Sequence, residues 1–189
     1  MDALILSFAV IFVAELGDKS QLMAMAFATR YRFWTVLAGI TAATALVHLF
    51  SVAVGVLVGA SLPTTLVNGL AGVAFICFGL WTLRGDELTD EEKEKATKVN
   101  RSAFFAVGIA FFLAELGDKT MLATVTLATN NGWFGTWIGS TLGMVAADAL
   151  AIGVGALLGK HLPEKVIKIG AAILFFGFGA LLLAEAITS

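Results

Sequence analysis

Ala14-Glu15-Leu16-Gly17-Asp18-Lys19-Ser20 recurs as Ala114-Glu115-Leu116-Gly117-Asp118-Lys119-Thr120, at an offset of 100 residues. Self-similarity at a fixed period marks a duplicated architecture. Outward from the two motifs the offset holds without a gap through Ala28/Ala128, Thr29/Thr129, Gly39/Gly139, Thr41/Thr141, Gly55/Gly155, Gly59/Gly159, Leu62-Pro63/Leu162-Pro163, Phe75/Phe175, Phe78-Gly79/Phe178-Gly179 and Leu83/Leu183. The chain therefore divides into a first repeat over 1–83, a linker over 84–102 and a second repeat over 103–189.

The motifs lie in apolar surroundings. Of 189 residues, 59% are hydrophobic and only 14% charged, and the mean hydropathy is +0.92, above the balance of a water-soluble domain. A bilayer core requires about 20 apolar residues per helix. Six stretches meet that length, at roughly 3–29, 33–60, 64–83, 103–129, 133–159 and 164–186. The expected fold is an all-α integral membrane protein of six transmembrane helices. Three spans per repeat is an odd number, so the second repeat enters the membrane from the opposite side and the two three-helix repeats are inverted. Inverted repeats are a construction of secondary transporters, whose substrate site lies near the midplane at the repeat interface.

Charge outside the spans orients the chain. The first, third and fifth loops carry Arg30, Arg32, Arg84, Lys93, Lys95, Lys98, Arg101, Lys160, Lys165 and Lys168. The other side, formed by the N-terminus, residues 61–63, residues 130–132 and the C-terminus, carries no basic residue. The positive-inside rule then places both termini outside the cytoplasm and the mixed-charge linker 84–102 within it. Trp34, Trp81, Trp133 and Trp137 fall near span ends, where indoles favour the headgroup region. The first apolar run lacks a basic leader and is interrupted by charge, so it reads as a retained helix. Cys77 is the single cysteine, which excludes an internal disulfide or thiolate zinc site. No basic stripe suits nucleic acid.

Charge inside the spans points to function. Glu15 lies about 12 residues into its span, roughly 18 Å deep in a core about 30 Å thick. Glu115 reaches the same plane from the other face. A charge at this depth costs about 2.5–3.5 kcal/mol, yet Glu15, Asp18, Lys19, Glu115, Asp118, Lys119 and Asp148 are all kept there. On a continuous helix, the spacing of Glu, Asp and Lys places all three of each copy on one face. Five carboxylates against two lysines leave three negative charges in surplus, which a bound cation or protons would offset. Hard oxygen ligands suit Mn²⁺, Ca²⁺ and Mg²⁺. Titratable ligands let a proton replace the metal on the return step. Ser20 and Thr120 are placed to complete the coordination sphere.

Other residues stand in supporting positions. Gly17 and Gly117 either interrupt their helices, turning carbonyls toward an ion, or allow close packing. His48 and Asp148 are repeat equivalents near the midplane; the first is a candidate proton carrier or interhelical hydrogen bonder, the second a further site carboxylate. Met121 beside the second motif is a candidate soft ligand, whereas Met23, Met25 and Met144 read as packing. Gly55-xxx-Gly59, Gly155-xxx-Gly159 and Gly135-xxx-Gly139-xxx-Gly143 read as close helix crossings.

Two copies of Glu-x-Gly-Asp-(Lys or Arg)-(Ser or Thr) in a six-span chain resemble the Gdt family of Mn²⁺ and Ca²⁺ transporters, over nearly the full length. The resemblance implies proton-coupled cation transport, and the compact chain is similar to bacterial plasma-membrane manganese exporters of the MneA type. It implies that Glu15, Asp18, Glu115 and Asp118 bind the metal, with Lys19, Ser20, Lys119 and Thr120 completing the signatures. Gln21 follows the first motif and Met121 the second, so the copies differ in ligand chemistry. The expected function is export of cytoplasmic Mn²⁺ against inward proton flow. The alternatives are a Ca²⁺/H⁺ antiporter on the same oxygen cage and, remotely, a membrane-embedded metal-dependent enzyme, for which no nucleophile or second catalytic constellation stands out. The partners expected are lipid, the transported divalent cation and protons, in a monomer or homodimer with no resident cofactor.

Overall fold

A computed structural model describes residues 2–84, 103–158 and 164–188; the linker 85–102 and the connection 159–163 lie outside the described residues. These residues form eight helices: α1 (Ala3–Glu15), α2 (Lys19–Ala28), α3 (Phe33–Ser61), α4 (Thr64–Arg84), α5 (Ala103–Glu115), α6 (Lys119–Asn130), α7 (Trp133–Leu158) and α8 (Glu164–Thr188). There is no strand among the described residues. The helix starts in the second repeat fall 100 residues after those in the first. Asp2 caps α1 by accepting from the Leu4 N–H at 3.2 Å, satisfying one of the free donors of a first turn.

Each expected first span is split in two. The turn Glu15-Leu16-Gly17-Asp18 is closed by Asp18 N–H donating to the Glu15 carbonyl at 3.1 Å. Leu16 has φ −61°, ψ 121° and Gly17 has φ 75°, the geometry of a type II turn, whose third position requires a left-handed residue. Gly117, with φ 79°, repeats it, and Asp118 N–H donates to the Glu115 carbonyl at 3.2 Å. The single helical face expected for Glu15, Asp18 and Lys19 therefore does not form. Glu15 ends one helix, Asp18 precedes the next and Lys19 begins it. Of the described helices, Phe33–Ser61 and the Trp133–Val154 stretch of α7 are individually long and apolar enough to cross a membrane. Division at the motifs is why 3–29 and 103–129 are not continuous.

The packing pattern exchanges the two repeats. Ala3 lies against Gly135, Phe8 and Phe12 against Gly143, and Gln21 against Ala147, so α1 and then α2 run parallel to α7. Likewise Phe104 and Val107 lie against Gly39, Val125 and Ala128 against Gly55, and Thr129 against Gly59, so α3 runs parallel to α5 and then α6. A Cβ on Gly143 would stand 2.6 Å from the Phe8 carbonyl oxygen. The expected close crossings at Gly55-xxx-Gly59 and Gly135-xxx-Gly139-xxx-Gly143 thus form; Gly155-xxx-Gly159 reaches outside the described residues. The equivalent helices α4 and α8 are antiparallel: Phe75 meets Phe178, Phe78 meets Phe175, each at 6.1 Å between ring centroids, Gly72 meets Leu183 and Gly79 meets Phe176.

Large apolar side chains face outward and carboxylates are buried, unlike a soluble domain. Leu46, Phe50, Leu57, Leu70, Leu113, Ile173 and Leu181 are exposed, while Glu15, Glu115, Asp148, Ser20, Thr120 and Thr124 are buried. Trp34 and Trp133 are exposed as interface residues should be. Trp137 is partly buried, and its indole N–H donates to the Ala45 carbonyl at 2.9 Å, joining α7 to α3.

Candidate cation site

The two interruptions meet through their charges. Lys119 pairs with Asp18 of the other repeat, and Lys19 with Asp118 at 3.5 Å. The lysine of each motif thus reaches the aspartate of the other repeat. The two pairs are unequally enclosed: the side chains of Lys119 and Asp18 are 4% and 0% exposed, those of Lys19 and Asp118 17% and 1%.

The glutamates are held by the hydroxyls five residues on. Ser20 Oγ donates to Glu15 Oε1, and Thr120 Oγ1 donates to Glu115 Oε2 at 3.0 Å. Both carboxyls retain one oxygen, Glu15 Oε2 and Glu115 Oε1, with no hydrogen-bond partner among the described residues. Asp148 is fully buried, and neither of its oxygens has a hydrogen-bond partner among the described residues. Glu15 feels the charges of Glu115, Asp18, Asp148 and Lys119, and Glu115 those of Asp118, Asp18 and Asp148. The structure thus brings the motif carboxylates and Asp148 into one electrostatic cluster. Among the described residues, no three His, Cys, Asp or Glu side chains converge closely enough to hold a metal ion as they stand.

Gln21 and Met121 occupy the same mechanical position. Gly17 N–H donates to Gln21 Oε1 at 2.8 Å, and Gly117 N–H to Met121 Sδ at 3.1 Å. Each side chain holds a donor that the interrupted helix leaves without its usual acceptor. Gln21 also donates through Nε2 to the Ala147 carbonyl at 3.0 Å, fastening the first turn to α7 beside Asp148; a thioether has no donor with which to do the same. The Gly117 position has nothing within 4 Å of where a Cβ would stand, so this glycine serves the turn, not close packing.

His48 is buried on α3, with Nδ1 lacking a hydrogen-bond partner among the described residues; its repeat equivalent, Asp148, is the one placed among the carboxylates. Met23 and Met144 are buried in apolar clusters, as packing residues, and Met144 Sδ also accepts from Thr44 Oγ1 at 3.4 Å. The buried hydroxyls of Ser7, Thr136, Ser140 and Thr141 belong to no motif and have no hydrogen-bond partner among the described residues. The signal for three of them lies in comparing the repeats, since Ser7, Thr136 and Ser140 stand where the other half has Val107, Val36 and Ile40.

The family model for the divalent cation/proton antiporter GDT1 matches residues 3–90 and 103–189. A protein of Vibrio cholerae named "Putative manganese exporter" is 34% identical over 93% of this chain and 87% of its own length. The GDT1-like protein sll0615 of Synechocystis is 32% identical over 89% of this chain and 90% of its own. The GDT1-like protein 3 of Arabidopsis thaliana is 28% identical over 94% and 69% respectively. No solved structure matches.

Proposed function

The chain belongs to the GDT1 family of divalent cation/proton antiporters, and from that premise we propose that it exports Mn²⁺ across a bacterial plasma membrane in exchange for protons. The observation that carries this reading is the cross-paired cluster at the two helix interruptions: Glu15, Asp18, Glu115 and Asp118 are buried there, with the lysine of each motif directed to the aspartate of the other.

In this reading the four motif carboxylates are the metal ligands and Asp148 supplies further negative charge. Each ammonium occupies an aspartate that a divalent ion would need, so loading requires the lysines to give way, and unloading lets them return. The lysines keep the cluster tolerable in a low-dielectric interior when no metal is bound, since a buried carboxylate without a counter-charge is costly. Ser20 and Thr120 orient the glutamates, and supporting hydrogen bonds of this kind tune metal affinity. Protons taking the place of the metal complete the exchange.

The proposed topology joins α1 to α2 and α5 to α6 as two interrupted crossings, which with α3, α4, α7 and α8 makes six. The repeats 1–83 and 103–189 then cross in opposite senses, a reading supported by the antiparallel α4 and α8. The basic loops put the linker 84–102 in the cytoplasm and both termini outside. Manganese is favoured over calcium by the name of the Vibrio cholerae relative; the oxygen ligands themselves would accept either ion.

The test is Mn²⁺ and Ca²⁺ flux in proteoliposomes under an imposed pH gradient, with Glu15→Gln and Glu115→Gln beside the native chain. Gradient-driven Mn²⁺ flux that both substitutions abolish is the expected result. Flux surviving in both folded variants would sink the site, and Ca²⁺ outcompeting Mn²⁺ at equal concentration would reassign the cargo.

A further inference from the structure

Thr136 and Ser140 are spaced by one helical step of four on α7, and the same face continues through Met144 to Asp148. From Thr136 to Asp148 this face spans roughly 18 Å at 1.5 Å per residue. On α1, Ser7, Ile11 and Glu15 follow the same four-residue spacing. The two helices are parallel, with Leu4 against Gly139 and Phe8 against Gly143, so Ser7 lies within about one helical turn of Ser140. Ser7, Thr136 and Ser140 are all fully buried, and none of their hydroxyls has a hydrogen-bond partner among the described residues.

An orphaned buried hydroxyl costs on the order of 1–3 kcal/mol unless water satisfies it, and three on facing helices are hard to explain by packing. The duplicated fold itself supplies the comparison. At the equivalent positions of the other repeat stand Val36, Ile40 and Val107, fully buried in one continuous apolar cluster with Phe111 and Phe27. The same architecture therefore closes with aliphatic side chains at these three places. Hydroxyls are present on one side of the carboxylates and an apolar seal on the other.

We propose that Ser7, Thr136 and Ser140 bind a file of water molecules that carries protons from the extracytoplasmic face to the carboxylates at the helix interruptions. Hydroxyl groups both donate and accept, as a relay of protons through a membrane protein needs, and buried waters require polar partners of this kind. Met144 lies between Ser140 and Asp148 on the same face. Its unbranched side chain can yield as a β-branched one cannot, and its sulfur accepts from the Thr44 hydroxyl. The end of the bundle where α1 and α7 begin is the one without basic loops, which the positive-inside rule assigns to the outside; the file's task of carrying protons rests on the antiport reading above. Water on that side and an apolar seal on the cytoplasmic side give inward-moving protons a path that the metal does not share.

The experiment compares two fluxes in proteoliposomes holding the full chain: Mn²⁺ driven by a pH gradient, and exchange of labelled for unlabelled Mn²⁺ with no gradient. In a Ser7→Ala, Thr136→Val, Ser140→Ala triple variant, gradient-driven flux is expected to fall by about tenfold or more. Mn²⁺/Mn²⁺ exchange and the thermal midpoint should not fall below those of the native chain, because removing these hydroxyls leaves no protein group unsatisfied. A hydroxyl-keeping variant, Ser7→Thr, Thr136→Ser, Ser140→Thr, should retain the gradient-driven flux. Full coupled flux in the apolar variant, equal loss of both fluxes, or equal loss of coupled flux in both variants would each overturn the water file. Absence of any gradient-driven flux in the native chain, with Mn²⁺ exchange intact, would instead overturn the proton-exchange reading and the file's role with it.

Discussion

Lys119, in the second motif, pairs with Asp18 in the first, and the reciprocal pair joins Lys19 to Asp118 at 3.5 Å. The two bonds lie at one level in the bundle because each motif sits at the interruption of its own first span, and they make the two interruptions a single unit. Loss of one partner is costlier where the other stays better enclosed. Removing one partner of a buried pair leaves the other uncompensated and costs about 3–5 kcal/mol.

Lys119→Gln should therefore lower the thermal midpoint in detergent far more than Lys19→Gln, whose native partner retains more contact with solvent through the lysine. Adding Asp18→Asn to Lys119→Gln should recover part of the loss, as the carboxylate that faced the lost ammonium is neutralised. Equal midpoints for the two lysine variants would show that enclosure does not set the energy of these pairs.

Gly17 and Gly117 hold left-handed backbone, which costs an L-residue about 1–2 kcal/mol. Gly117→Ala meets no steric obstacle, so any effect is conformational: Mn²⁺ flux should drop while Gly117→Asn, which tolerates this region, should keep a larger share. Unchanged flux in Gly117→Ala would mean that the turn can straighten without consequence.

Met121 separates a mechanical role from a ligand role. Because its sulfur accepts the Gly117 N–H, Met121→Gln should preserve flux, since Gln21 does the same for Gly17, whereas Met121→Leu should lose it. The ratio of Mn²⁺ to Ca²⁺ transported by Met121→Gln should match the native value. A shift toward Ca²⁺ in that variant would restore the soft-ligand role expected from its place beside the motif.

Gly143→Ala would press a methyl group to within 2.6 Å of the Phe8 carbonyl oxygen. Overpacking of this kind costs about 1–3 kcal/mol, read as a lower midpoint. Gly153→Ala, on the same helix with nothing within 4 Å, should be tolerated and serves as the control.

Much of this was legible in residue order alone. Helix starts at Ala3, Phe33, Ala103 and Trp133 follow from the repeat, and the depth of Glu15 and Glu115 follows from counting along an apolar run. The turn at Leu16-Gly17 was partly legible: glycine before an aspartate cap is a turn signal, but the surrounding apolar run favours one continuous helix, and periodicity cannot choose between them. The cross-pairing could not be read at all. Spacing of Asp18 and Lys19 describes neighbours on one strand of chain, while the partner of Lys119 is decided by how α2 and α6 are brought together. Trp137 shows the same limit: its place near a span end says nothing of the Ala45 carbonyl, contributed by a helix of the other repeat, to which its indole donates.

The exchange of partners between the motifs also ties the two halves together in inheritance. A change that removes the charge of Lys119 takes an ion pair from Asp18, 101 positions earlier, so the two copies are coupled at these sites. Positions without such a bond are released from that constraint, and there the copies have parted company: histidine at 48 and aspartate at 148, glutamine at 21 and methionine at 121. Duplicated halves whose charges are exchanged in this way can keep the shared centre while the approaches to it become different on the two sides.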